Sequence, residues 1–247
     1  MRLSTTKFSK ILSVRKSYEM PHRKYFNFNK KIEEASTWND RWVAELVLPE
    51  KTGGFFIEAG ACGGIGGSCT YYFEKNLGWK GLLFEPTDNW FKVLLKNRPN
   101  SYCINKCLSS TDEEVKFLHF TTQVGRSTTY NFRGQHHDKL MESLPYEVIR
   151  RPSITLEDAL IECVAPKQID YMALDLNGSE YDVLSVFPFD KYHFKAISVE
   201  DCKCDTLLQD SGYIKVSNPF TQAKFENYFV HPSISADALD RIARIAP

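Results

Sequence analysis

The sequence predicts an α/β fold, a mostly parallel central sheet with helices on both faces and an antiparallel strand at its C-terminal edge. Two observations carry the prediction. From residue 55 to about residue 216, short apolar runs alternate with segments of helical period, the pattern of parallel strands joined by crossover helices. The first run, FFIEA (55–59), leads directly into GACGGIGG (60–67), where five of eight residues are glycine, as where backbone approaches a ligand after a strand. The chain has 247 residues, 43% hydrophobic and 25% charged, enough for one substantial core.

The elements follow in order. Residues 1–31 carry nine basic side chains against Glu19 and read as a solvated, partly disordered arm whose functional reading is contact with an anionic surface. A single domain over 32–247 follows. Trp42, Val43, Leu46 and Val47 share a helical face that Gly53-Gly54 closes. FFIEA is a buried strand, SCTYYFEKNL (68–77) a helix, KGLLFEP (80–86) a strand. TDNWFKVLLKNRP (87–99) is a helix capped by Thr87 or Asp88, and SYCINKCLSS (101–110) a third strand. EEVKFLHFTT is strand-like. Residues 121–150 lose any clear period and read as an irregular insertion. Regularity returns with Leu156, Ala159, Leu160 and Cys163 at helical spacing in 153–166. IDYMALDL (169–176) is then a strand, SEYDVLSVF (179–187) a helix and FKAISVED (194–201) a strand. TLLQDSGYIKV (206–216) turns at Gly212 from helix to strand, and FENYFVHP (225–232) is the last strand.

Composition removes several functions. The 31 basic and 31 acidic residues cancel, so specific nucleic-acid binding is not expected. No apolar run approaches the roughly 18–20 residues of a membrane helix, and the N-terminus has no signal-peptide core. Seven cysteines, an odd number, are scattered along the chain, which fits a reducing, cytoplasmic setting. Cys202 and Cys204 lack zinc-site spacing, and no metal site is expected there.

In such a sheet, ligands sit beyond the carboxyl ends of the strands. The dinucleotide fingerprint GxGxxG fails here: after Gly64-Ile-Gly66 the third glycine position is Cys69, and Glu58 would repel a pyrophosphate. An NAD-dependent enzyme is therefore disfavoured. A cofactor with a positive centre suits the loop better. S-adenosylmethionine carries a sulfonium and an ammonium, so Glu58, Gly60, Gly64 and Asp175 are expected at its methionine end. Glu85, closing the next strand, is placed for the ribose hydroxyls. Leu108 and Ser109, after the third strand, would lie near the adenine.

Read together, FFIEAGACGG, LGWKGLLFEP, NKCLSS, IDYMALDLNGSEYDVL and FKAISVE resemble, in that order, the FkbM-type methyltransferase family over roughly residues 40–217. Glu58, Gly60, Ala61 and Gly64 match its first motif, Ser68 a following serine, and Asp175, Gly178 and Glu180 its fourth-strand motif. The resemblance implies a Rossmann-like class I methyltransferase fold, S-adenosylmethionine as donor and transfer to a hydroxyl oxygen. Two departures stand out. Cys62 and Gly63 occupy positions where the family usually has a polar residue such as Asp or Asn, and Asn177 stands where its fourth-strand motif has Glu. They leave an alternative open, a non-catalytic interaction protein on the same fold with lost or altered cofactor binding.

Methyl transfer to an alcohol needs positioning and removal of a proton. Asp175 and Glu180 are the candidate catalytic residues. Asp175 reads as general base or ammonium partner, and alternatively as a helix cap. Glu180 shares an apolar helix face with Val183, Leu184 and Phe187, so it is either a site carboxylate or half of a buried ion pair. Glu200, Asp201, Asp175 and Asn177 form an oxygen-rich group for which Mg²⁺ is an alternative reading. His119, His136, His137 and His193 are further candidate bases, and Arg126 and Ser127 candidate contacts. The expected acceptor is a hydroxyl on a small molecule or glycan.

Overall fold

The computed structural model describes residues 37–132, 135–200 and 202–245; the basic arm lies outside them. The chain opens with α1 (Asn39–Trp42), which runs on into a π-helical turn, Val43–Val47. Then come β1 (Phe55–Ala59), α2 (Tyr71–Leu77), β2 (Lys80–Phe84), α3 (Asp88–Asn97), β3 (Tyr102–Ile104) and β4 (Cys107–Leu108). They are followed by β5 (Glu114–Phe120), β6 (Thr128–Thr129), α4 (Gln135–Ser143), β7 (Tyr146–Ile154), α5 (Leu156–Glu162) and β8 (Gln168–Leu174). The last elements are α6 (Glu180–Ser185), β9 (His193–Glu200), α7 (Asp205–Asp210), β10 (Ile214–Val216), β11 (Glu226–Val230) and α8 (Ala236–Ile245).

Seven strands form the main sheet in the order β10-β11-β9-β8-β1-β2-β3. β9, β8, β1, β2 and β3 run parallel to one another, whereas β11 pairs antiparallel with β9 and β10 antiparallel with β11 at one edge. Successive strands thus run outward from β1 in one direction and resume on its other side with β8. That reversal is the topological switch point, where an open α/β sheet leaves a crevice at its carboxyl edge.

Side-chain alternation divides the core between the two faces. Ile57, Leu82, Met172, Leu174 and Ile197 pack with α5, α6 and α7, while Phe56, Leu83, Tyr171 and Ala196 pack with Trp42, Phe73, Trp79 and α8. Local signals set the helix ends. Gly78, at φ 65°, ends α2 in a left-handed turn. The Thr155 hydroxyl accepts from the Asp158 amide and caps α5. Thr155→Ala is expected to cost about 1 kcal/mol in urea unfolding, the usual worth of such a cap.

Three readings change. The third strand is two, with β3 in the main sheet and β4 in a second sheet of order β4-β7-β5-β6. Residues 121–150, expected to be irregular, contain α4 and most of β7, whose antiparallel pairing with β5 runs from Glu114 opposite Pro152 to Phe120 opposite Tyr146. β7 hides from periodicity because Tyr146, Glu147 and Val148 are all exposed, leaving no apolar face to read. The C-terminal α8 also went unread; it buries Ala238 and Ile242, and Arg241 Nε donates to the Leu46 carbonyl at 3.2 Å. Among the described residues no helix is long and apolar enough to cross a membrane.

Candidate functional site

The switch point opens into a cleft of about 890 Å³ including its open mouth. One wall is the turn after β1, with Gly60, Ala61, Cys62, Gly66 and Gly67; Glu85 to Thr87 follow β2 and Asp175 to Asn177 follow β8. The second sheet closes the far side with Leu108, Phe117, Gly125 and Ser127 to Thr129. The charged side chains among these lining residues are two carboxylates, Glu85 and Asp175, which follow the strands on either side of β1.

The glycines have separate tasks. Gly60, at φ 86°, adopts a left-handed backbone against β8, where an added Cβ would collide with the Asp175 carbonyl oxygen. An added Cβ at Gly64 would lie 2.7 Å from Arg98 Cγ, so its bareness admits an arginine beneath the loop. Gly66 has open space around it on the cleft side.

Arg98 was not singled out from the sequence. It ends α3 with a fully buried side chain. Its Nε donates to Glu74 at 2.7 Å, and its terminal nitrogens donate to the Gly64 carbonyl at 3.2 Å, Ser68 Oγ at 3.0 Å and Thr70 Oγ1 at 2.9 Å. Glu58 joins the same network. It lies 3.6 Å from the Arg98 guanidinium and accepts from the Cys69 amide and from the hydroxyls of Ser68 and Thr70. Glu58 and Gly64, expected at the cofactor's methionine end, and Ser68, the match to a family serine and an expected cofactor contact, form the underside of the glycine loop and are not among the cleft's lining residues. The charge of Glu58 is balanced within the protein.

Gly60, Ala61, Glu85, Leu108 and Asp175 do converge on the cleft; Ser109 is buried and absent from its lining. Glu85 is held by three donors. Cys62 N gives to Oε2 at 2.9 Å, Thr87 N to Oε1 at 2.8 Å, and the Thr87 hydroxyl also to Oε1. Burial raises its pKa above the ordinary value while these bonds pull it back.

Asp175 is open to the cleft on one side and crowded by protein on the other. That crowding, then the Glu200 carboxylate beside it, pushes its pKa well above the carboxylate range. Behind it Glu200 pairs in register with Glu226 across β9 and β11, so three neighbouring strands end in a row of carboxylates. Glu226 accepts from Asn39 Nδ2 at 2.9 Å and is raised to about 7, mainly by burial. Cys62 is pushed up to about 12 by burial and then by Glu85 and Asp175, so its thiol stays protonated.

Glu180 is buried outside the cleft lining, and neither a reacting position nor an ion pair explains it. Its carboxylate accepts from Leu176 N at 2.7 Å and Gly178 N at 2.9 Å, tying down the loop that carries Asp175. Burial raises it to about 7. Of the candidate histidines, His119, His137 and His193 are not lining residues: His137 stacks on Phe120 and His193 on His231. The side chain of His136 and all of Asp201 lie outside the described residues. Among the described residues no group of three or more His, Cys, Asp or Glu side chains is arranged to hold a metal ion.

A family model for the methyltransferase FkbM domain matches residues 58–212. No curated protein sequence matches the chain. Solved structures similar to it include a TehB-like SAM-dependent methyltransferase from Corynebacterium glutamicum, at 10% identity and TM-score 0.41 over 78% of this chain and 86% of that one. Aeropyrum pernix fibrillarin in complex with natively bound S-adenosyl-L-methionine is similar at 13% identity and TM-score 0.40, over 79% of this chain and 74% of that one. The family match spans the glycine turn, Glu85, the second sheet and the Asp175 loop, more than half of the chain, and on that match the protein belongs to the FkbM methyltransferase family.

Proposed function

We propose that the protein is an S-adenosylmethionine-dependent O-methyltransferase acting on a hydroxyl of a small molecule or glycan. One observation carries the reading: Glu85 and Asp175 flank β1 in one cleft, with a bare glycine turn between them. A pyrophosphate cofactor would meet two carboxyl groups and no cationic side chain among the lining residues, whereas S-adenosylmethionine brings a positive methionine end. The residues fit it. Glu85 Oε2, which accepts from Cys62 N alone, keeps acceptor capacity for a ribose hydroxyl. Gly60 and Ala61 would offer backbone to the methionine moiety, Asp175 would face its cationic end, and Leu108 would give the adenine an apolar wall. When bound, the cofactor supplies an electrophilic methyl on its sulfonium. The protein positions the acceptor, and Asp175, which reaches the cleft, takes the hydroxyl proton. Mg²⁺ is not part of this proposal.

Calorimetric titration tests it. The wild type is expected to bind S-adenosylhomocysteine and S-adenosylmethionine with micromolar affinity and NAD not at all. Glu85→Ala is expected to weaken the adenosyl ligands at least tenfold, about 1.4 kcal/mol or more. Equal affinity in that variant would remove Glu85 from the ribose. No binding to the wild type would favour the non-catalytic alternative.

A further inference from the structure

The two departures from the family pattern meet at one place. Asn177 Nδ2 donates across the cleft to the Gly125 carbonyl at 3.1 Å and is 3.4 Å from the Ser127 carbonyl oxygen. On the other side of the same turn, a Cβ added at Gly125 would lie 4.0 Å from Cys62 Sγ. A third tie runs alongside, from the Thr128 hydroxyl to the Leu176 carbonyl at 2.8 Å. Gly125 and Ser127 lie in the segment that leads into β6 of the second sheet, where Thr128 and Thr129 pair with Leu118 and Phe117. Residues 176 and 177 belong to the turn after β8 in the main sheet. These bonds therefore join the loop after β8 to the segment of β6, two sides of the cleft lining.

Asn177 is suited to this in two ways. Its backbone is left-handed, with φ 56°, which asparagine adopts at less cost than most residues. Its amide also presents two N–H groups to two carbonyls. A glutamate here would have no donor to give and would set a carboxylate against those carbonyl oxygens.

We propose that Asn177 is a positioning residue, holding Gly125 to Thr129 as a roof over the acceptor side of the cleft and so limiting the size of molecule that reaches Asp175. This rests on reading the cleft as the methyl-transfer site, but its test needs no cofactor. Cys62 lines the cleft beneath the roof, and its alkylation gauges the opening. The full chain, Asn177→Gly and Asn177→Asp would be treated with N-methylmaleimide and with the bulky, uncharged N-(1-pyrenyl)maleimide, and labelling of Cys62 followed by peptide mass spectrometry. The high thiol pKa slows both reagents alike, so the ratio of their rates reports size alone. Glycine keeps the left-handed backbone without strain, so Asn177→Gly removes the side chain and its two ties without forcing a new turn geometry.

The bulky-to-small rate ratio is expected to rise at least fivefold in both variants, most in Asn177→Asp. Amide hydrogen exchange in 121–130 should quicken at least tenfold, with an unchanged thermal midpoint. An unchanged ratio in Asn177→Gly would overturn the proposal, as would faster exchange spread over the whole chain with a lowered midpoint, which would make Asn177 a general structural residue. Failure of the wild type to bind S-adenosylhomocysteine would instead overturn the proposed function and leave the roof measurements to stand or fall separately.

Discussion

Arg98→Met is expected to lower the unfolding free energy by about 3–5 kcal/mol, the usual consequence of removing one partner from a buried ion pair. The arginine is fully buried and is the cation between two buried carboxylates, Glu58 and Glu74. Methionine fills much of the same space, so the loss arises from charge and hydrogen bonding. Glu58 keeps three donors, the Cys69 amide and the Ser68 and Thr70 hydroxyls. Glu74 keeps the Ser101 hydroxyl at 2.5 Å and the Asn100 amide at 3.3 Å. The Gly64 carbonyl loses its arginine donor, so the glycine loop is expected to move and S-adenosylhomocysteine to bind more weakly. Urea unfolding at pH 7 checks the first effect and calorimetry the second. Arg98→Lys keeps the charge but not the fork that reaches Glu74, Gly64, Ser68 and Thr70 together, and should recover only part of the loss. A loss below 1 kcal/mol in Arg98→Met would show that the hydroxyls and amides alone satisfy the two carboxylates.

Arg98 also marks how far the sequence could be read. The parallel strands were legible because their apolar runs are short and bounded by glycine, proline or a helical period, and the cleft followed from where β1 ends. Glu85 and Asp175 were legible for the same reason, since each closes a strand of the sheet. The direction in which Glu58 points was not. It sits one residue before Ala59 on a buried strand, and alternation alone puts it on one face without saying whether that face meets ligand or protein. Its neutralising partner comes from the far end of α3, in KNRPN, where an arginine before a proline reads as an ordinary exposed helix end. Glu180 was read correctly as a carboxylate on an apolar helix face. Its partners are main-chain amides two and four residues earlier, which leave no trace in side-chain pattern. The roof was illegible because β5, β6 and β7 pair across long separations, and β6 has only two residues.

Stability is expected to fall as pH rises from about 4.5 to about 7, against the behaviour of a protein whose carboxylates are held by cations. Glu180 and Glu226 are both raised from 4.5 to about 7 by burial, Asp40 is raised from 3.8 to about 6, and Asp175 is raised well above the carboxylate range by burial and then by Glu200. The folded state therefore holds protons that the unfolded chain releases across this window, and the unfolding free energy declines with pH while that difference lasts. For Glu180, which is 2% exposed, the contribution is about 3 kcal/mol, present below pH 4.5 and gone above pH 7. Glu226 is partly open to solvent and contributes less. Asp88 acts in the opposite sense, since its ion pair with Arg151 lowers its pKa, but that contribution is lost only at more acid pH. Urea titrations at pH 5 and 7.5 measure the slope. Glu226→Gln keeps an acceptor for Asn39 and removes the ionisation, so it should raise stability at pH 7.5 and flatten the slope; an unaltered slope would mean that Glu226 is ionised throughout. Under the proposed function Asp175 accepts the hydroxyl proton only in its ionised form, so methyl transfer should quicken as pH rises through its raised pKa. The row of carboxylates that makes Asp175 basic enough to take a hydroxyl proton is thus also what limits the stability of the sheet's carboxyl edge at neutral pH.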